Sequence, residues 1–146
     1  LPKATRRSVL EIITRELRTP KGLRTLSPKS DGYQPQCHGT QWQREQSYYN
    51  GSVWPWLLGP YFEACIKLYG RSAISFIENT LIGMEEELQQ HGVGTVSELF
   101  DGNPPFKGRG AISFAMSVGE LLRSLALLEE AKNKYDTQIL PIIRYE

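Results

Sequence analysis

Glu98 lies in the segment Thr95-Val96-Ser97-Glu98-Leu99-Phe100-Asp101-Gly102, a glycine-flanked stretch between two helical patterns. A carboxylate on such a connection can act as a general acid or base, because loops on a rigid scaffold are where catalytic groups are presented. The same spacing also suits a turn or capping segment with a solvated glutamate. A second cluster is Tyr48-Tyr49-Asn50-Gly51-Ser52-Val53-Trp54-Pro55-Trp56. Two tyrosines and two tryptophans around an Asn-Gly turn offer flat apolar faces with polar rims, on which a sugar ring can stack while its hydroxyls are hydrogen-bonded. Packing at a helix start would use the same rings. With only two histidines and two cysteines, Cys37 and Cys65, no metal site is expected and at most one disulfide can form.

Helical periodicity supplies the elements that must position these residues. Val9, Leu10, Ile13 and Leu17 predict a helix over 4–17 that ends before Thr19-Pro20. From Lys21 to Gly51 the periodicity vanishes, and the aromatic content argues for an ordered, site-building loop, with Leu23–Leu26 as the sole strand candidate. A second helix is expected from Ser52, with Pro55 in its first turn, a stripe of Leu57, Tyr61, Ala64, Cys65 and Leu68, and a kink or shifted start at Gly59-Pro60. Ser72 opens a third, carrying Ile74, Ile77, Leu81, Met84 and Leu88 and stopping at His91-Gly92. The fourth runs from about Ser113 to Lys132 on Val118, Leu121, Leu122, Leu125 and Leu128, and an apolar tail follows with Ile139, Leu140, Ile142 and Ile143. The expected class is all-α, with stacked helical hairpins whose long loops gather on one face.

Composition narrows the function classes. Seventeen Lys and Arg against sixteen Asp and Glu leave a charge of +1. No basic run suggests a nucleic-acid or membrane footprint. A mean hydropathy of −0.39 describes an ordinary soluble globular chain. A length of 146 residues fits one domain or a piece of a larger one. Leu1-Pro2-Lys3 has neither an initiator Met nor a charged-then-apolar leader, so a secretory signal is expected to be absent or already removed and the start to be trimmed rather than native.

Three blocks then carry a resemblance. The run YYNGSVWPWLLGPY resembles the YHQGTVWPWLLGPF signature of glycogen debranching enzymes, and LRTLSP upstream resembles their matching segment. SELFDGNPPFKGRGAISFAMSVGELLR is similar to their SEIFDG…PRGAISQAWSVAELLR, and the blocks fall in order over roughly residues 22–123. A wider similarity is to glucoamylases, with their Tyr-Tyr-Asn-Gly turn. Tyr49 and Asn50 stand where the debranching family has His and Gln, and Phe114-Ala115-Met116-Ser117 replaces Gln-Ala-Trp-Ser. The last change makes that part of the site more apolar or leaves it outside the site, and Met116 reads as core.

The resemblance implies that residues 1–146 form the C-terminal part of an (α/α)6 six-hairpin barrel, an incomplete catalytic domain. It makes Glu98 the general base of an inverting α-1,6-glucosidase, with Arg24, Tyr48, Tyr49, Trp54 and Trp56 as substrate-binding residues and Tyr48 orienting the base or its water. No metal and no cofactor are implied. The partners would be a glycogen-type α-glucan and the remainder of the barrel, which carries the general acid; no nucleic acid and no membrane are expected. No segment resembles the acid's motif, and Asp31, Glu45, Glu63, Asp101 and Glu120 do not stand where the family places it. An apolar edge should be exposed where the remainder docks, and the isolated 146 residues should be inactive. The usual place of glycogen metabolism implies a cytoplasmic protein. The alternatives are a glucoamylase-like exo-α-glucosidase cleaving α-1,4 bonds, and a non-catalytic carbohydrate-binding helical module.

Overall fold

The computed structural model describes residues 1–90 and 92–136. The expected stop at His91 and the apolar tail from Ile139 to Ile143 lie outside the described residues.

Helix α1, Lys3–Glu16, buries Leu10 and half-buries Ile13, and Leu17, half-buried, caps its C-terminal end. The chain then makes a tight hairpin, β1 Arg18–Thr19 and β2 Gly22–Arg24. After a long loop come α2, Gln41–Tyr49, and β3, Val53–Trp54. A 3-10 turn at Pro55–Leu57 leads into α3, Leu58–Tyr69. A second such turn, Gly70–Ala73, leads into α4, Ile74–Glu85, and the short α5, Glu87–Gln90. The hairpin strands β4 Leu99–Phe100 and β5 Gly108–Arg109 precede the long α6, Ala115–Asp136.

The five strands form one antiparallel sheet in sequence order, with Leu23 opposite Trp54, Val53 opposite Phe100 and Leu99 opposite Arg109. This corrects the all-α expectation and, with it, the reading of the chain as plain stacked hairpins of a helical barrel. Each strand is two or three residues long, too short for the alternation that betrays a strand in sequence. The sheet, rather than a row of loops, holds the site segments side by side.

Two further differences have local causes. The expected loop from Lys21 to Gly51 contains α2, which buries only Ser47 and so has no apolar stripe. Its start is fixed by a capping box: Thr40 Oγ1 accepts the Gln43 N–H, and Gln43 Oε1 accepts the Thr40 N–H at 2.8 Å. The second expected helix begins at Leu58, not Ser52, so the Gly59-Pro60 signal marks a shifted start, with Pro60 in the first turn, where a missing N–H costs nothing. Ser52 caps no helix; its N–H donates to the Ser47 carbonyl at 3.1 Å.

The main core unites Leu58, Tyr61, Phe62 and Cys65 of α3, Ile77, Leu81 and Met84 of α4 and Leu128 of α6 with Val53 and Phe100 from the sheet. α6 packs along both α3 and α4. Fully burying side chains of the size of Phe62, Phe100 or Ile77 stabilises by about 1.5–3 kcal/mol each. Trp54 and Leu99 alternate away from Val53 and Phe100 and join Cys37 in a smaller cluster, packed by Tyr48, Trp56 and Phe114. The sheet thus has helix core behind it and an aromatic cluster in front. Both cysteines are buried and free, and burial pushes each thiol pKa up. Val9 and Ile12 on α1, Ile82 on α4, and Leu122 and Leu125 on α6 remain exposed. The α4–α6 groove, lined by Ile82, Leu122 and Leu125 among others, has a volume of about 420 Å³.

Candidate active site

The turn between α2 and β3 is tied down from three sides. Ser47 Oγ donates to the Gln34 carbonyl at 2.8 Å, Thr25 Oγ1 accepts the Gly51 N–H at 2.8 Å, and the Gln34 N–H donates to the Asn50 carbonyl. Gly51 is required there, since a Cβ would stand 2.4 Å from the Gln34 carbonyl oxygen. This fixes Tyr48 at the end of α2 over the face of β3. The Trp54 indole N–H donates to the Tyr48 carbonyl at 3.2 Å, and the two rings meet edge to face at 4.6 Å.

Glu98 lies just before β4, half-buried. Its carboxylate is gripped at both oxygens: the Tyr48 hydroxyl donates to Oε1 at 2.6 Å and the Ala111 backbone N–H to Oε2 at 2.9 Å. The Glu98 N–H in turn donates to the Ala111 carbonyl at 2.9 Å. Gly110 makes this approach possible. It has φ +69°, and a Cβ on it would stand 2.4 Å from Glu98 Oε2. Burial first, and then the bond to Glu98, hold the Tyr48 phenol above its ordinary pKa, so it remains a proton donor.

Asp101 has a different task. Arg109 grips it with two N–H groups, Nη2 to Oδ2 at 2.8 Å and Nε to Oδ1 at 3.0 Å, and the Cys37 N–H donates to Oδ1 at 3.1 Å. This pins the long loop onto the β4–β5 hairpin. Glu63 and Glu120 both bind Arg123, away from Glu98 on α3 and α6. Neighbouring Lys67 and Arg123 hold the Glu63 carboxyl below its ordinary pKa.

Of the residues singled out in sequence, Tyr48, Tyr49, Trp54 and Trp56 converge on one open depression of about 290 Å³, completed by Thr25, Leu57, Phe114 and Met116. Glu98 adjoins it through the Tyr48 hydroxyl. Trp54 is the buried ring of the set, while Trp56 is half-buried and Tyr49 is 69 % exposed. Arg24 does not line the depression; its Nε donates to the Gly102 carbonyl at 2.8 Å, joining β2 to the loop after β4. Phe114 and Met116 are wall residues of the depression, and Met116 is half-exposed rather than core. The second grip on Glu98 was hidden from sequence reading, because a backbone N–H has no side-chain signature. The Gly110-Ala111 pair inside the recognised block is its only trace.

Among the described residues no group of three His, Cys, Asp or Glu is placed to hold a metal ion, and no helix is long and apolar enough to cross a membrane. The family model described as Amylo-alpha-1,6-glucosidase matches residues 1–123, a span that contains all three recognised blocks and every residue of the depression. No curated protein matches the chain.

Proposed function

Because the chain belongs to the amylo-alpha-1,6-glucosidase family, we propose that it supplies the general-base side of a debranching site, with Glu98 as the base. The reaction is hydrolysis of α-1,6-linked glucose on a glycogen-type α-glucan with inversion. The observation that carries this reading is the grip on Glu98, one oxygen on Tyr48 and the other on Ala111, beside a depression walled by aromatic rings. Two donated hydrogen bonds fix the carboxylate plane and still leave lone pairs to accept a proton from water. As water attacks the anomeric carbon from one face, the glycosidic oxygen leaves from the other with a proton from an acid. The two carboxyls then stand about 6.5–9.5 Å apart in enzymes of this type.

That acid has no candidate among Asp101, Glu63 and Glu120, each tied to an arginine. On this reading it comes from outside these 146 residues. Tyr49, Trp54 and Trp56 bind the sugar, and Arg24 holds the loop that frames it. The test is turnover of a branched dextrin by the assembled enzyme carrying Glu98→Gln. The expected result is a loss of about 10³-fold or more in kcat with oligosaccharide binding retained, and β-glucose as the first product of the unmodified enzyme. An unchanged kcat would refute the role of Glu98. Faster release from linear maltooligosaccharides than from branch points would mark the α-1,4 alternative.

A further inference from the structure

Helix α2 contributes almost nothing to the core, yet it carries three aromatic rings. Trp42 is 68 % exposed and Tyr49 is 69 % exposed. They are seven residues apart, which on an α-helix returns to the same face two turns on, a separation of about 10.5 Å, roughly the span of two or three pyranose rings. Gln46 lies between them on that face, and its side-chain amide has no hydrogen-bond partner among the described residues. Tyr49 is already a wall of the depression beside Glu98. Trp42 therefore continues that wall outward along one helix face.

We infer that this face of α2 is an outer binding track for the α-glucan chain, with Trp42 and Tyr49 as stacking platforms and the Gln46 amide bonding hydroxyls between them. The inference rests on the proposed debranching reading for the identity of its ligand. Three features of the surface itself favour a neutral polyhydroxyl chain. Stacking on an indole and a phenol suits the flat apolar face of a pyranose. The helix is rich in uncharged amides, Gln41, Gln43 and Gln46, and its one cation, Arg44, is occupied by the Gly39 carbonyl at 2.8 Å. With Glu45 beside Arg44 the helix carries no net charge, so an anionic ligand gains no net attraction there. The helix is also held rigidly, by the Thr40–Gln43 capping box at one end and the Gly51 turn at the other, so the platforms are in place before the ligand arrives.

The track makes affinity depend on chain length. Titration calorimetry of the full 146-residue chain with maltose, maltotetraose and maltoheptaose reads this directly. Affinity should rise with length in the unmodified chain, and Trp42→Ala should remove about tenfold from the maltoheptaose affinity while leaving that for maltose unchanged. Trp42→Phe, which keeps a ring, should restore part of the loss. Because Trp42 packs into neither core cluster, circular dichroism and melting temperature of both variants should match the unmodified chain. A length-dependent affinity that Trp42→Ala leaves untouched would overturn the track while the debranching reading stands. Absence of binding to all three glucans by the unmodified chain would overturn the track, whereas the debranching reading stands or falls on turnover by the assembled enzyme carrying Glu98→Gln.

Discussion

At the residue scale, two contacts define what Glu98 can do. Tyr48 holds one oxygen and Ala111 the other, so the carboxylate cannot rotate away from the water it is proposed to activate. Tyr48→Phe removes one donor while keeping the ring that packs on Trp54. In the assembled enzyme it should lower kcat by about tenfold with KM nearly unchanged, because a base that wanders loses alignment rather than affinity. Steady-state kinetics on a branched dextrin checks this, and a change confined to KM would assign Tyr48 to sugar binding. Since burial and the Glu98 bond raise the phenol's pKa, the contact should survive past pH 10, the ordinary value for tyrosine. Gly110→Ala meets two obstacles together, a positive φ and a clash with Glu98 Oε2. It should cost about 1–3 kcal/mol of stability in urea unfolding and displace the carboxylate as well.

At the element scale, the short strands and turns are secured by ion pairs that a helical pattern does not announce. Lys21, in the β1–β2 turn, binds Glu87 of α5 at 2.6 Å, with the two side chains 14 % and 5 % exposed. Glu87→Ala leaves a largely buried ammonium unpaired and should destabilise by about 3 kcal/mol in urea unfolding, whereas Lys21→Met with Glu87→Leu should recover most of the loss. The end of α1 is clamped by Glu16, which accepts bonds from Lys29, Arg15 and Ser27. These bonds, that from Lys29 foremost, lower its pKa from 4.5 to about 2. A depressed carboxylate stabilises the fold above its unfolded pKa and loses that contribution as pH falls through the folded one. The clamp is therefore complete above pH 4.5 and disappears on descent to about pH 2, and Glu16→Gln should flatten that part of the melting-temperature profile.

How much of this the sequence disclosed follows element length. The three-and-four rhythm of α1, α3, α4 and α6 was legible because each commits several turns to the core. The sheet was not, since a strand such as Val53–Trp54 offers one residue to each side and no period to read. α2 lacked a stripe, although the T-x-x-Q capping box at Thr40–Gln43 could have located its start. In the site, the aromatic residues and Glu98 were legible by type and motif. Arg24 was singled out by the LRTLSP block, yet its Nε is spent on the Gly102 carbonyl.

At the scale of the whole molecule, Glu98 is the carboxylate held beside the depression, and the other carboxylates of the recognised blocks are committed to arginines. Asp101, Glu63 and Glu120 serve the architecture, so the 146 residues alone should release no glucose from an α-1,6-linked substrate. Measurable hydrolysis by the isolated chain would reveal an acid within it. The measurement that tests the role of Glu98 most directly bypasses the acid altogether. In α-glucosyl fluoride the leaving group departs as fluoride without protonation, and azide attacks without surrendering a proton, so a missing base can be replaced by azide in solution. The enzyme assembled with its acid-bearing segment and carrying Glu98→Ala should release almost no fluoride in buffer. With azide it should recover fluoride release and form β-glucosyl azide by inversion. Fluoride release at the unmodified rate without azide would contradict the assignment of Glu98 as the base.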